Sequence, residues 1–106
     1  MDVLKKQFDQ AMLTIYQRAK SEAGYVASVF FRMLNERGGL QTAKYLINAA
    51  QPSEGYAKLF ELGRLDLTVE AEVVENVRWH SLFSDDELRT ARKRLSDYRY
   101  TPRDSV

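Results

Sequence analysis

Three groups of ionisable side chains have the types and spacing for chemistry. The first surrounds His80, the one histidine of the chain, with Ser81 and Asp85 close by in sequence. A Ser-His-Asp relay needs three roles converging in space, commonly with the serine on a sharp strand-to-helix elbow. No Gly-x-Ser-x-Gly stretch is present, so His80 reads as a packed or surface histidine. The second group is acidic: Asp66, Glu70, Glu72 and Glu75. On a helix Asp66 and Glu70 lie one turn apart, a geometry open to an acid pair or a divalent cation. Hard-cation sites draw oxygens from several loops, and no second acidic cluster at ligand-like spacing accompanies this one. Asp66, Glu70 and Glu72 therefore read as a solvated acidic face available to a partner. The third group is basic: Arg89, Arg92, Lys93 and Arg94, with Arg99 and Arg103 beyond. Clustered cations on a helix can neutralise backbone phosphates. They can equally complement the helix C-terminal dipole or pair with the acidic segment just before them. These two faces are the candidate interaction sites. No catalytic residue, metal ligand or cofactor is assigned.

The bulk composition narrows the classes. The chain has 106 residues, 44% of them hydrophobic and 29% charged, which suits one folded domain rather than a disordered chain. With no cysteine, thiol catalysis, thiolate metal sites and a disulfide framework all drop out. No apolar run approaches the roughly 20 residues of a membrane span and no signal-peptide core opens the chain, so the expectation is a cytoplasmic protein that does not enter the membrane. The net charge of +1 is unevenly laid out. Residues 1–60 carry eight basic against five acidic side chains, residues 61–87 two against eight, and residues 88–106 six against two. An acidic block followed by a basic one differs from the uniformly basic surface of a nucleic-acid binder.

The elements that must carry these groups are helical. Leu4, Phe8, Ala11, Met12, Ile15, Tyr16 and Ala19 follow a helical stripe, predicting a helix over 3–21. Tyr25 to Arg37 makes a second, with a wide apolar stripe (Val26, Val29, Phe30, Met33, Leu34) that marks it as central, and Gly38-Gly39 ends it. Leu40 to Ala49 makes a third. Ser53 caps a fourth that buries Tyr56, Leu59 and Phe60 and stops at Gly63. These glycines are too isolated for a phosphate cradle, which needs a patterned loop after a strand.

The stretch GRLDLTVEAEVV, residues 63–74, alternates apolar and polar like a half-buried strand. A strand must find another to satisfy its backbone, and none offers itself. Thr68 is instead a good N-cap and Glu70 and Glu72 suit the first turns, predicting a helix over 69–75. Ser84-Asp85-Asp86-Glu87 is a capping box opening a last helix with the stripe Leu88, Ala91, Leu95 and Tyr98. Its cations are read as lying off that stripe. Tyr100 to Val106 reads as a flexible tail.

The phrases IYQRAKSEAGYVASVFFRML, GGLQTAKYLINA, SEGYAKLFELGRLDLTVEAEV and LFSDDELRTARKRL resemble a small bacterial family of uncharacterised helical proteins. Its members occur alone and attached to larger nuclease-like proteins of defence type. The resemblance spans Phe8 to Leu95 and implies a compact accessory domain; it carries no catalytic residues.

The expectation is an all-α fold, a compact orthogonal bundle of five or six short helices over residues 1–99, with the first and last helices around the second. Phe8, Ile15, Phe30, Leu34, Ile47, Phe60 and Leu95 are its expected core. The expected role is a non-enzymatic protein-interaction or accessory module of a bacterial or phage defence-related system, with a protein partner or a second copy as its target. The alternative is a nucleic-acid-binding module using the last helix.

Overall fold

A repeat of large apolar residues at steps of four, three and four organises the first helix of the computed structural model, which describes residues 3–103. In α1 (Val3–Ala23), Phe8, Met12, Ile15 and Ala19 form one buried line while the lysines and glutamines face water. This is the amphipathic pattern read from the sequence. Helix α2 (Ser28–Asn48) begins three residues later than expected, because Tyr25, Val26 and Ala27 belong to the connection after Gly24. It is kinked at Gly38, whose φ of 80° and ψ of 168° lie outside the helical region. That conformation is open to glycine and strained for other residues. The kink yields the two helical arms, 28–37 and 39–48, that the Gly-Gly pair implies.

Gly39 serves a different need. Its amide donates to Asp9 Oδ1 at 2.8 Å. A Cβ there would stand 2.6 Å from the same oxygen and 2.9 Å from the Asp9 Cα. Only a residue without a side chain lets α1 and α2 approach this closely.

Helix α3 (Glu54–Glu61) starts at Ser53, whose hydroxyl accepts the Tyr56 amide at 3.1 Å. A 3₁₀ turn over Leu65–Leu67 leads to α4 (Val69–Glu75), capped by Thr68 Oγ1 accepting from the Ala71 amide at 3.1 Å. The alternating stretch is thus helical where a helix is predicted. A 3₁₀ segment over Val77–Leu82 then carries Trp79 inward. Helix α5 (Asp85–Asp97) opens with both bonds of its capping box, Glu87 N to Ser84 Oγ at 3.1 Å and Ser84 N to Glu87 Oε1 at 2.8 Å. The fold is all-α, with no strand among the described residues, and none of the helices there is long and apolar enough to cross a membrane.

The centre of the bundle is α4, not α2. Val69, Glu70, Ala71, Val73, Val74 and Glu75 are all buried, so this short helix is covered on nearly every side. Around it Phe8, Ile47, Trp79, Phe83, Leu88 and Leu95 form one apolar cluster. The Phe8 ring meets Trp79 and Phe83 edge-on at 5.2 and 5.6 Å. A seven-residue helix has marginal intrinsic stability; enclosure holds it in place.

Three expected core residues fall outside this centre. Phe30 and Leu34 are only partly buried, and Phe60 is 46% exposed, resting edge-on against Tyr98. The wide stripe of α2 has more apolar surface than the bundle covers.

The expected tail is also anchored through Arg103. Arg99, at φ 62°, turns the chain back after α5, and the Tyr100 amide reaches Leu95 O at 2.9 Å. The Tyr100 hydroxyl and the Arg103 amide and guanidinium then donate to the buried carboxylate of Glu75. One internal acceptor thus fixes the segment that reads as loose in sequence. The rest of the expected tail, 104–106, lies outside the described residues.

Candidate functional site

Each expected charged face loses a member to the interior. Arg94 is buried, with its side chain 8% exposed, and its Nη1 donates to Glu70 Oε2 at 2.9 Å. The same guanidinium donates to the carbonyls of Leu46 and Ala49 at 3.1 and 2.8 Å, tying α5 to the end of α2. Arg94 is therefore committed to three acceptors inside the fold and is not displayed on the surface. Glu70 is likewise removed from any solvated acidic surface. Burial pushes its carboxyl above the ordinary glutamate range, against the opposing pull of Arg94.

The other acidic residues are engaged within the fold. Arg64 grips Asp66 through Nε and Nη2, both at 3.0 Å, and holds the Asp66 carboxyl below its usual value. Glu72 Oε2 accepts the Trp79 indole N–H at 2.9 Å and Asn76 Nδ2 at 3.2 Å. On the outer side of α5, Arg89 pairs with Asp86 and Lys93 pairs with Asp97 at 2.9 Å. Arg92 is exposed and makes no ion pair among the described residues. The basic run thus comes apart into a structural arginine, two locally neutralised cations and Arg92.

His80 is placed by backbone chemistry. Its Nε2 lies 3.0 Å from the Val73 carbonyl oxygen and 3.3 Å from that of Val74. Carbonyls only accept, so the proton sits on Nε2. His80 thereby serves the last carbonyls of α4, which a helix C-terminus leaves unpaired. Among the described residues no hydrogen bond joins it to Ser81 or Asp85.

An apolar concave feature lies elsewhere, on the side of α2 that the bundle leaves bare. A groove of about 410 Å³ opens between α1, the first turns of α2, α3 and the start of α4. Ile15 and Ala19 of α1, Tyr56 and Leu59 of α3, and Leu67 and Val69 form its inner wall. Val26, Val29, Phe30 and Met33 form the outer wall, with Val26 48% and Val29 59% exposed. Beside it Phe31, 39% exposed, stacks on Tyr16 at 4.7 Å.

The polar groups of the groove are few. The Tyr25 amide bonds to Ala19 O at 3.0 Å, and its hydroxyl stands over Gly55 at the start of α3. Burial first, and then the nearby charge of Glu54, raise the Tyr25 hydroxyl above its ordinary pKa. The Tyr56 hydroxyl points away from solvent and donates to Arg94 O at 3.1 Å. A cleft of this volume with sparse polar groups has the general character of a binding site.

Sequence reasoning missed the groove, although a signal was there. The stripe Val26, Val29, Phe30, Met33 with Tyr25 and Phe31 is wider than one packing face needs, and that excess reads as centrality. It is instead surface left partly uncovered among the described residues. Helix angle alone does not single out Arg94: it lies about 40° beyond Tyr98 at one edge of the buried stripe, and the exposed Arg92 lies equally close to Leu88 at the other edge. Comparison with protein-family models, with curated proteins and with solved structures finds no match to this chain.

Proposed function

We propose that this chain is a non-enzymatic protein-interaction module that docks a partner in the groove between α1, α2 and α3. The observation that carries the reading is the exposure of Val26 and Val29 at the groove's outer wall, 48% and 59%. Apolar side chains grouped at an open cleft mark interaction surfaces more often than idle ones. The ionisable groups support the same reading from the opposite direction. Glu70, Arg94, Glu75 and His80 are spent on bonds that hold helices and tail together. The sequence resemblance to helical bacterial domains attached to larger nuclease-like proteins is the basis for proposing an accessory role within a defence-related system, and the cytoplasm is its proposed setting. Nucleic acid is the weaker candidate, because two of the three exposed cations on α5 are already paired with carboxylates of their own helix.

The test compares wild type with Val29→Asp and Arg92→Glu as baits in the native host, read by mass spectrometry. Both substitutions are at the surface and should move stability by no more than about 0.5 kcal/mol. The expected result is a partner retained by wild type and Arg92→Glu and lost with Val29→Asp. Retention of the same partners by Val29→Asp would refute the groove as the docking element. A salt-sensitive complex with DNA or RNA that Arg92→Glu weakens would transfer the function to α5.

A further inference from the structure

The chemistry of the groove names the kind of partner, on the premise that the groove is the docking element. Among its lining residues the groove has two carboxylates, Glu54 and Glu70, and no lysine, arginine or histidine. Glu70 is committed to Arg94 at 2.9 Å. Glu54, in the first turn of α3, is exposed and makes no ion pair among the described residues. An anionic partner would meet this charge beside apolar walls, where repulsion is less screened than in water. A cation beside an apolar anchor complements it.

The form of the occupant follows from what the groove leaves bare. A small molecule confined to the concavity would leave the outer faces of Val26 and Val29 in water. A rod laid along the groove's outer wall covers both. The described residues contain no strand, so a peptide cannot bind by extending a sheet edge. Polyproline recognition uses an aromatic-lined groove, whereas the outer wall here is mostly aliphatic (Val26, Val29, Met33), which favours helix-in-groove docking.

We infer that the groove receives an amphipathic helix of a partner protein. That helix presents large apolar side chains on one face and a lysine or arginine at the border of that face, against Glu54.

The experiment is a selection from a displayed library of single helices randomised on one face, run in parallel against wild type, Glu54→Lys and Val29→Asp. Circular dichroism establishes first that each variant keeps its helical spectrum. Against wild type the selected helices should carry Leu, Phe or Met at helical spacing, with Lys and Arg enriched over Asp and Glu at the border. Against Glu54→Lys the border preference should reverse. A synthetic peptide from the wild-type selection should bind Glu54→Gln about 1.5- to 5-fold more weakly, the range of an exposed ion pair. An unchanged border preference against Glu54→Lys would overturn the charge inference while leaving the docking reading in place. Selected helices that bind Val29→Asp as tightly as wild type would overturn the docking reading itself. A dimer in sedimentation equilibrium that Val29→Asp dissolves would assign the groove to a second copy and overturn the partner helix, as would a wild-type selection that yields no binder.

Discussion

Arg94→Met removes the guanidinium at the junction of α2, α4 and α5 and keeps the apolar stem, so it isolates the charge from the packing. In the native protein that guanidinium answers three acceptors at once: Glu70 Oε2, Leu46 O and Ala49 O. Both ionic side chains are less than a tenth exposed. Removing one partner of such a pair strands the other charge in a medium that solvates it poorly, at a cost of about 3–5 kcal/mol. Against the roughly 5–15 kcal/mol that holds a typical small domain together, the variant should lose a large share of its stability at neutral pH.

Glu70→Gln should be milder, about 1.5–3 kcal/mol, because Arg94 keeps its two carbonyls and loses one charge-assisted bond. The sign of the pH dependence separates the two. In Arg94→Met the unpaired Glu70 carboxyl, already raised by burial, rises further. A raised native pKa contributes stability that is present below the unfolded value and lost as pH rises through the native one. The deficit of Arg94→Met relative to wild type should therefore shrink on acidification from neutral pH until the raised native value of Glu70 in the wild type is reached, while that of Glu70→Gln should show no such Glu70-linked narrowing. Urea unfolding followed by circular dichroism at a series of pH values measures both, with Arg92→Met as a control within about 0.5 kcal/mol of wild type. A loss below about 1 kcal/mol for Arg94→Met, or a loss that grows on acidification, refutes the buried-pair reasoning.

Three further outcomes are expected. Phe8→Ala should cost about 3–5 kcal/mol, since the ring is fully buried between Trp79 and Phe83; Phe60→Ala, from a half-exposed site, should cost less than half as much in the same denaturation assay. Gly39→Ala should destabilise by about 1–3 kcal/mol, because its Cβ meets the backbone of Asp9 at 2.9 Å, and a thermal melt unchanged from wild type would mean that α1 and α2 can separate freely. Burial alone would raise the Glu87 carboxyl, but bonds from Lys44, the Ser84 amide and Asn48 outweigh it and hold the group at about 2. A lowered native pKa gives stability present above the unfolded value and lost as pH falls through the native one. Glu87→Gln should therefore lose roughly 2 kcal/mol at neutral pH, allowing for solvent screening, and the deficit should close as pH falls from about 4.5 toward 2.

Local signals were enough for the helices themselves. The steps of α1, the Ser53, Thr68 and Ser84 caps and the glycine break of α2 are each written in a few adjacent residues. They act through bonds that close within one or two turns, so α3, α4 and α5 begin where those residues place them. Burial of the charged side chains is different, because it depends on what stands opposite. Nothing next to Glu70 in sequence announces Arg94, twenty-four positions away, and nothing near Tyr100 announces Glu75.

The sequence alone therefore determined the all-α class, the starts of α3, α4 and α5 and most of the apolar lines. Tertiary structure decided the centre of the bundle, the fate of the two charged segments and the groove. Capping and periodicity are short-range properties of the chain, whereas desolvation and unpartnered surface exist only once distant helices have taken their places. A short helix enclosed on nearly every side can carry alternating charges only if partners come from elsewhere. Arg94 and the tail supply them to α4, while the first turns of α2 are left with apolar surface that nothing among the described residues covers.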